Sequence, residues 1–167
     1  NTDHRIPVIA KIEKPEGVRN IDNIMKYASG IMVARGDLGV EINASEVPLI
    51  QKKLVYKAKK ARIPVIIATQ MMESMMESLN PNRAEVNDVA NSVMDGADAV
   101  MLSGETSVGK HPVEVIQTIA NIIGKVENSN LISLKHKHPT DYDSDRFITK
   151  SVCYYAAKIA NDTNAKA

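Results

Sequence analysis

Four short apolar runs alternate along the chain with longer segments whose apolar residues recur every three or four positions. The runs are "RIPVIA", "GIMVA", "IPVIIA" and "DAVML", all rich in β-branched residues and without regular alternation of polar ones. This pattern is typical of strands that are covered on both faces, as in a parallel sheet. The sequence therefore predicts four buried strands, one in each run.

The segments that follow these runs have the period of amphipathic helices. Helices are predicted over residues 16–28, 44–62, 82–96 and 111–128, with Gly96 ending the third. Four consecutive strand–helix units imply parallel strands joined by crossovers. The predicted fold class is α/β, either an open doubly wound sheet or part of a (βα)8 barrel. No glycine-rich dinucleotide fingerprint follows the first strand, which weakens the open-sheet alternative.

The composition changes after the fourth helix. Residues 129–145 are polar and are predicted to form a linker, and residues 146–167 have helical spacing. An apolar face is expected on this last helix, at Ile148, Val152, Tyr155 and Ile159. Because the first strand begins near the first residue and the last helix leads to no further strand, the chain is expected to be a piece of a larger protein.

Composition and charge exclude several classes of function. The net charge of +1 gives no reason to expect nucleic acid or an acidic membrane as a partner. No apolar run approaches the roughly 18 residues of a membrane span, and the first residues do not resemble a signal peptide. The single cysteine, Cys153, rules out an internal disulfide and is expected to be a small buried apolar residue. A cytoplasmic protein is therefore predicted.

Polar residues at the carboxyl ends of the predicted strands are the candidates for chemistry. In parallel α/β folds these ends open on one face, where functional side chains gather. They comprise Lys11 and Glu13, then Arg35 to Asp37, then Thr69 and Gln70, then Ser103 to Thr106. One lysine and two carboxylates at such an edge suggest a divalent metal and a phosphorylated ligand, because Mg²⁺ favours one or two carboxylates, waters and substrate oxygens. The lysine would stabilise charge on a phosphoryl group or an enolate.

Two glycines flank the candidate carboxylate Asp37 in the sequence. Gly36 and Gly39 let the backbone approach a ligand closely. A helical turn beginning there would direct amide N–H groups at a carboxylate or a phosphate.

Five stretches together identify a family resemblance. They are "IAKIEKPEGV", "GIMVARGDLGVEI", "VIIATQMMESM", "NRAEVNDVANSVMDGADAVMLSGET" and the last helix into "NAKA". In this order and at this spacing they resemble the pyruvate kinase family, from Ile6 to about Glu127 and again from Phe147. The resemblance implies that residues 1–128 form the second half of the catalytic (βα)8 barrel. It also implies that residues 146–167 are the first helix of a C-terminal α/β domain.

The resemblance also implies roles for individual residues. Lys11 would neutralise the transferring phosphoryl group and the enolate oxygen, and Glu13 and Asp37 would hold Mg²⁺ or Mn²⁺. Thr69 would lie near the methylene carbon in the proton path, with Ser103 and Glu105 in a supporting role. The backbone from Ala34 to Asp37 would bind the substrate carboxylate. The implied substrate-binding set is Lys11, Ala34, Arg35, Gly36, Asp37 and Thr69.

The implied reaction is phosphoryl transfer from phosphoenolpyruvate to ADP, giving pyruvate and ATP in glycolysis. Members of the family also use K⁺ and form homo-oligomers, usually tetramers. The K⁺ ligands, a further phosphate-binding arginine, the mobile lid and the effector site belong to family segments that do not match this chain. The chain alone is therefore expected to be inactive. Half a barrel would leave two unpaired strand edges, so self-association or a need for the missing half is expected.

Other interpretations remain open on the sequence. The chain could be a non-catalytic assembly module of the same family, or another phosphoenolpyruvate- or pyruvate-handling barrel such as a lyase, although the "MLSGET" and "ATQMMES" motifs speak against the latter. Lys11, Glu13 and Asp37 could form a purely structural ion cluster. Thr69 could be structural, and Arg35 could contact a substrate or form a salt bridge across a subunit contact.

Overall fold

The computed structural model describes residues 6–129, 138–140, 142–163 and 165. Its central feature is one parallel sheet with the strand order β1-β2-β3-β4. The strands are β1 (Ile9–Ile12), β2 (Gly30–Ala34), β3 (Val65–Ala68) and β4 (Ala99–Met101). Each strand lies beside the one that follows it in the sequence. A doubly wound sheet reverses this order at a switch point, so the observed order favours the barrel alternative.

The helices follow the strands much as predicted. They are α1 (Pro15–Arg19), α2 (Ile21–Ile24), α3 (Arg35–Glu41), α4 (Val47–Ala61), α5 (Arg83–Asp95), α6 (Gly104–Ser107), α7 (Pro112–Glu127) and α8 (Phe147–Thr163), with 3₁₀ turns at Ala44–Glu46 and Glu73–Met76. The single helix predicted over residues 16–28 is instead the pair α1 and α2. Asn20 separates them, because its backbone leaves the helical region, with φ of −96° and ψ of 12°.

The main core lies on one face of the two central strands, where Ile31 lies beside Val65 and Val33 beside Ile67. Ile31, Val33, Val65 and Ile67 are fully buried, and helices α4, α5 and α7 cover them. The prediction of buried strands is confirmed for β2 and β3. It is wrong for β1 and β4, where most residues are partly exposed. The reason is that each of these strands pairs with only one neighbour within the described part of the chain.

The described chain divides into two compact units, Asn1–Ile132 and Ser133–Ala167. The second unit contains α8, whose predicted apolar face is exposed: Ile148, Val152 and Ile159 are each more than 60% exposed. Cys153 is also exposed, so the expectation of a buried thiol is wrong. Among the described residues of this unit α8 is the only helix or strand, so no second element of the unit packs against this face. Most of the predicted linker, residues 129–145, lies outside the described residues.

None of the helices in the described ranges combines the length and the apolar character that a bilayer-spanning helix requires.

Replacing either of two glycines by alanine is expected to change the free energy of unfolding, in opposite directions for the two positions. Gly96 ends α5 in the left-handed conformation, with φ of 101°, and a Cβ there would lie 2.6 Å from Lys59 Cε. Gly124 lies inside α7, where a Cβ would meet nothing within 4 Å. Gly96→Ala is therefore expected to lower the free energy of unfolding by about 1–2 kcal/mol. Gly124→Ala should raise it by up to about 1 kcal/mol. Urea denaturation of the two variants measures both changes, and a shift in the same direction would contradict this account.

Candidate active site at the carboxyl edge of the sheet

Three charged side chains meet where β1 and β2 end. Lys11 lies in β1 and Glu13 directly follows it, while Asp37 lies in the first turn of α3, which begins immediately after β2. Lys11 Nζ lies 2.6 Å from Glu13 Oε2 and 3.0 Å from Asp37 Oδ2. The structure thus brings together the lysine and both carboxylates predicted from the sequence.

The ion cluster is open to solvent and holds Lys11 in its charged form. About half of the Lys11 and Asp37 side chains is exposed, and about a third of Glu13. Hydrogen bonds to Glu13, and secondarily to Asp37, raise the pKa of Lys11 above its ordinary value of 10.5. Lys11 is therefore a cation at neutral pH, placed between two anions that are accessible to a ligand.

The two carboxylates fit Mg²⁺ or Mn²⁺ better than Zn²⁺. They line an open cavity of about 230 Å³ together with Lys14, Val40 and Glu41. The described residues contain no group of three or more His, Cys, Asp or Glu side chains that could hold a metal. Zn²⁺ is usually held by three or four protein ligands, whereas Mg²⁺ is commonly held by one or two carboxylates and completes its shell with water and substrate oxygens.

A left-handed turn after β3 is a feature that the sequence did not predict. Thr69 has φ of 72° and Gln70 has φ of 55°, although neither residue is glycine. Each such residue costs about 1–3 kcal/mol and persists only where contacts with its surroundings hold it in place. Strain of this kind is found mostly at functional sites, which supports the candidate role of Thr69.

The Thr69 hydroxyl joins this turn to the start of α3. Its Oγ1 accepts a hydrogen bond from the Gly36 amide at 2.7 Å and donates one to the Ala68 carbonyl at 2.6 Å. Gly36 lies in the first turn of α3, where the amide has no acceptor within the helix. A Cβ on residue 36 would lie 3.2 Å from Thr69 Oγ1, so glycine is what allows this close approach.

The Arg35 side chain points away from the ion cluster. Only 10% of it is exposed, and its Nη1 lies 2.6 Å from Asp88 on α5 of the same chain. Its Nη2 donates to the Thr69 carbonyl at 2.7 Å. The sequence did not predict a role for Asp88, because α5 contains several acidic residues and their spacing does not distinguish this one from the others.

Glu105 is a buried structural acid between the ends of β3 and β4. It is 4% exposed, and its carboxylate accepts hydrogen bonds from the Ser103 amide at 2.7 Å and the Met72 amide at 3.4 Å. The Ser103 side chain is exposed at the start of α6. These contacts tie the third and fourth strand ends together.

Glu105→Gln tests this structural role. The carboxamide has one acceptor oxygen in place of two, so one of the two amides is expected to lose its partner. The free energy of unfolding should fall by about 1–3 kcal/mol. Chemical denaturation measures the loss, with Glu114→Gln on the exposed face of α7 as the control that should change little. An equal effect of the two substitutions would show that the Glu105 contacts do not stabilise the fold.

The fold and this edge can now be compared with known proteins. Residues 1–116 match the family model described as the pyruvate kinase barrel domain. The chain belongs to the pyruvate kinase family. This confirms the resemblance predicted from the motifs and makes the chain a member of a phosphotransferase family, in place of the lyase alternative. The open parallel sheet agrees with part of that family's barrel domain.

Curated pyruvate kinases from several bacteria are similar to the chain. The protein from Mycobacterium intracellulare is 57% identical over 126 residues, which cover 75% of this chain and 27% of that protein. Pyruvate kinase 2 of Synechocystis is 45% identical over 163 residues, which cover 97% of this chain and 27% of that protein. The pyruvate kinase of Corynebacterium efficiens is 48% identical over 163 residues, which cover 98% of this chain and 33% of that protein. The chain thus spans about a quarter to a third of the length of these relatives.

Proposed function

We propose that the chain supplies the metal- and phosphoryl-binding edge of a pyruvate kinase active site. The proposed reaction is phosphoryl transfer from phosphoenolpyruvate to ADP, followed by protonation of the enolate to pyruvate. The observation that carries the proposal is the position of Lys11 between Glu13 and Asp37 at the carboxyl edge of the sheet. A cation flanked by two metal-binding anions suits a substrate that is both phosphorylated and carboxylated.

Lys11 is the proposed catalytic cation. Its ammonium group would stabilise the negative charge on the transferring phosphoryl group and on the enolate oxygen, where a preorganised charge lowers the barrier most. Glu13 and Asp37 would hold Mg²⁺ or Mn²⁺, and the bound ion would supply charge neutralisation of the phosphoryl and enolate oxygens. In this structure Lys11 forms ion pairs with both carboxylates. On binding of metal and substrate it would exchange these ion pairs for contacts to the substrate.

The other strand ends are proposed to orient the substrate and to move a proton. The backbone from Ala34 to Asp37 would bind the carboxylate of phosphoenolpyruvate, with the Asp37 amide as the proposed donor because the Gly36 amide already donates to Thr69 Oγ1. Thr69 would lie beside the methylene carbon, and its hydroxyl would belong to the path by which a proton reaches the enolate. Ser103 and Glu105 would support this arrangement, and the buried contacts of Glu105 are consistent with that role.

The remaining proposals concern the whole protein. Residues 1–128 are proposed to be the second half of the catalytic barrel, residues 129–145 a linker, and residues 146–167 the first helix of a C-terminal domain. The family relationship supports ADP and ATP as partners, K⁺ as a second cation with ligands outside this chain, a cytoplasmic location and a homo-oligomer. The two sheet edges at β1 and β4 are proposed to pair with further strands, either of the missing half or of another copy.

An activity assay on a chimera tests the proposed function. The chimera is the Mycobacterium intracellulare pyruvate kinase in which residues 6–127 of this chain replace the corresponding segment. With phosphoenolpyruvate, ADP, Mg²⁺ and K⁺, it is expected to form pyruvate, whereas the 167-residue chain alone is not. A folded chimera without turnover would favour the alternative of a non-catalytic assembly module. Turnover by the chain alone would contradict the need for the other half.

A further inference from the structure

We propose that Arg35, held by Asp88, is a positioning residue that fixes the left-handed Thr69–Gln70 turn and so places the Thr69 hydroxyl. This inference rests on the proposed function, because Thr69 and Gly36 are placed there among the groups that handle the substrate. The proposal assigns the Arg35 side chain a role in the geometry of the site, with no direct contact to substrate.

The guanidinium of Arg35 is engaged from two sides. On one side, Nη1 lies 2.6 Å from both carboxylate oxygens of Asp88. On the other, Nη2 donates to the Thr69 carbonyl at 2.7 Å and lies 3.4 Å from the Gln70 carbonyl. The rigid planar fork of arginine can hold an anion and a pair of carbonyls at the same time, which a lysine ammonium on its flexible stem does much less well.

The turn needs such an anchor because its backbone is strained. Thr69 and Gln70 are consecutive L-residues in the left-handed region, a conformation that persists only where surrounding contacts hold it. Both of its carbonyl groups point to the same guanidinium. Since the Arg35 side chain is nine-tenths buried, water competes little for these contacts.

Two hydrogen bonds link the residues that follow β2 with those that follow β3, one in each direction. The Arg35 side chain holds the backbone of Thr69, and the Thr69 side chain holds the backbone of Gly36, the residue that follows Arg35. Asp37, a proposed metal ligand, comes next in the same helical turn. Loss of the Arg35 anchor would therefore loosen Thr69 and Gly36 together.

Amide hydrogen exchange of the 167-residue chain tests the anchor without any need for turnover. The Gly36 amide should be protected, and Thr69→Val, which removes its acceptor, should speed its exchange. Asp88→Asn and Arg35→Lys are expected to speed Gly36 exchange by about tenfold, as loss of a charge-assisted hydrogen bond would do. The matched control is Asp22→Asn in α2, which removes a carboxylate that pairs with Lys57 and contacts neither Arg35 nor the turn. Unchanged Gly36 exchange in both test variants, or an equal change in the control, would overturn the proposal.

A double-mutant cycle in the chimera tests the consequence for catalysis. Arg35→Lys is expected to lower kcat by at least about tenfold when Thr69 is present, since small misplacements of reacting groups are costly. In a Thr69→Val background the same change should have little further effect, because it acts through Thr69. Additive losses would assign Arg35 a merely structural role. If the chimera with native residues makes no pyruvate, the proposed function fails, and the exchange measurement still decides whether Arg35 sets the turn.

Discussion

Replacing Lys11 by alanine is expected to lower the rate of pyruvate formation by the chimera by at least about 10²–10³-fold. Lys11 is the cation that contacts both candidate metal ligands, and its raised pKa keeps it charged throughout the neutral range. Without it, the charge that develops on the phosphoryl group and the enolate would lose its nearest protein partner. A coupled assay of pyruvate formation at saturating Mg²⁺ measures kcat and the KM for phosphoenolpyruvate separately.

The main effect of Lys11→Ala should fall on kcat. A loss confined to KM would mean that Lys11 binds the ground state only and would contradict the proposed role. Lys53→Ala, which removes an exposed lysine from α4, is the control and should retain full activity. Because Lys11 and its partners are all partly exposed, the thermal midpoint of the variant should stay close to that of the unchanged protein.

Removing the two carboxylates is expected to abolish binding of Mn²⁺ at this edge of the sheet. Even loss of an outer-shell partner commonly weakens metal binding by about 10–100-fold, and loss of a direct ligand should cost no less. Glu13→Gln and Asp37→Asn should therefore each weaken Mn²⁺ binding by at least about tenfold, and the double variant by more. Electron paramagnetic resonance of free Mn²⁺ in the presence of the 167-residue chain measures the affinity without requiring activity.

The same experiment also tests a variant that is expected to bind Mn²⁺ more tightly. Lys11→Ala should tighten Mn²⁺ binding in the absence of substrate, since the lysine and the metal compete for the same two carboxylates. Glu46→Gln, an equal change of charge at an exposed position before α4, is the control. Equal weakening by Glu46→Gln would show that general electrostatics, and not direct coordination, governs the binding.

Features that depend on local sequence were predictable. The β2 strand matches the run "GIMVA" residue for residue. Helix α5 begins and ends where the sequence indicates. A capping box formed by Asn82 and Glu85 marks its start, and the left-handed Gly96 marks its end. The meeting of Lys11, Glu13 and Asp37 was also predictable, because parallel strands bring their carboxyl ends to one edge whatever the side chains are.

Features that depend on distant partners were not predictable. Thr69 and Gln70 carry no sequence signal of a left-handed turn, because their conformation is held by Arg35, more than thirty residues earlier in the chain. Asp88 gains its importance from that arginine alone. The exposure of β1 and β4 likewise depends on which strands lie beside them, and the hydrophobic pattern of a single strand cannot reveal this.

An anomalous diffraction map of the chimera, crystallised with Mn²⁺ and phosphoenolpyruvate, tests the central claim most directly. The account predicts a manganese peak within about 2.0–2.3 Å of a carboxylate oxygen of both Glu13 and Asp37. It also predicts that Lys11 Nζ contacts the phosphate of the substrate. A metal bound elsewhere, with Lys11 still paired to both carboxylates, would contradict the assignment of this edge as the catalytic site.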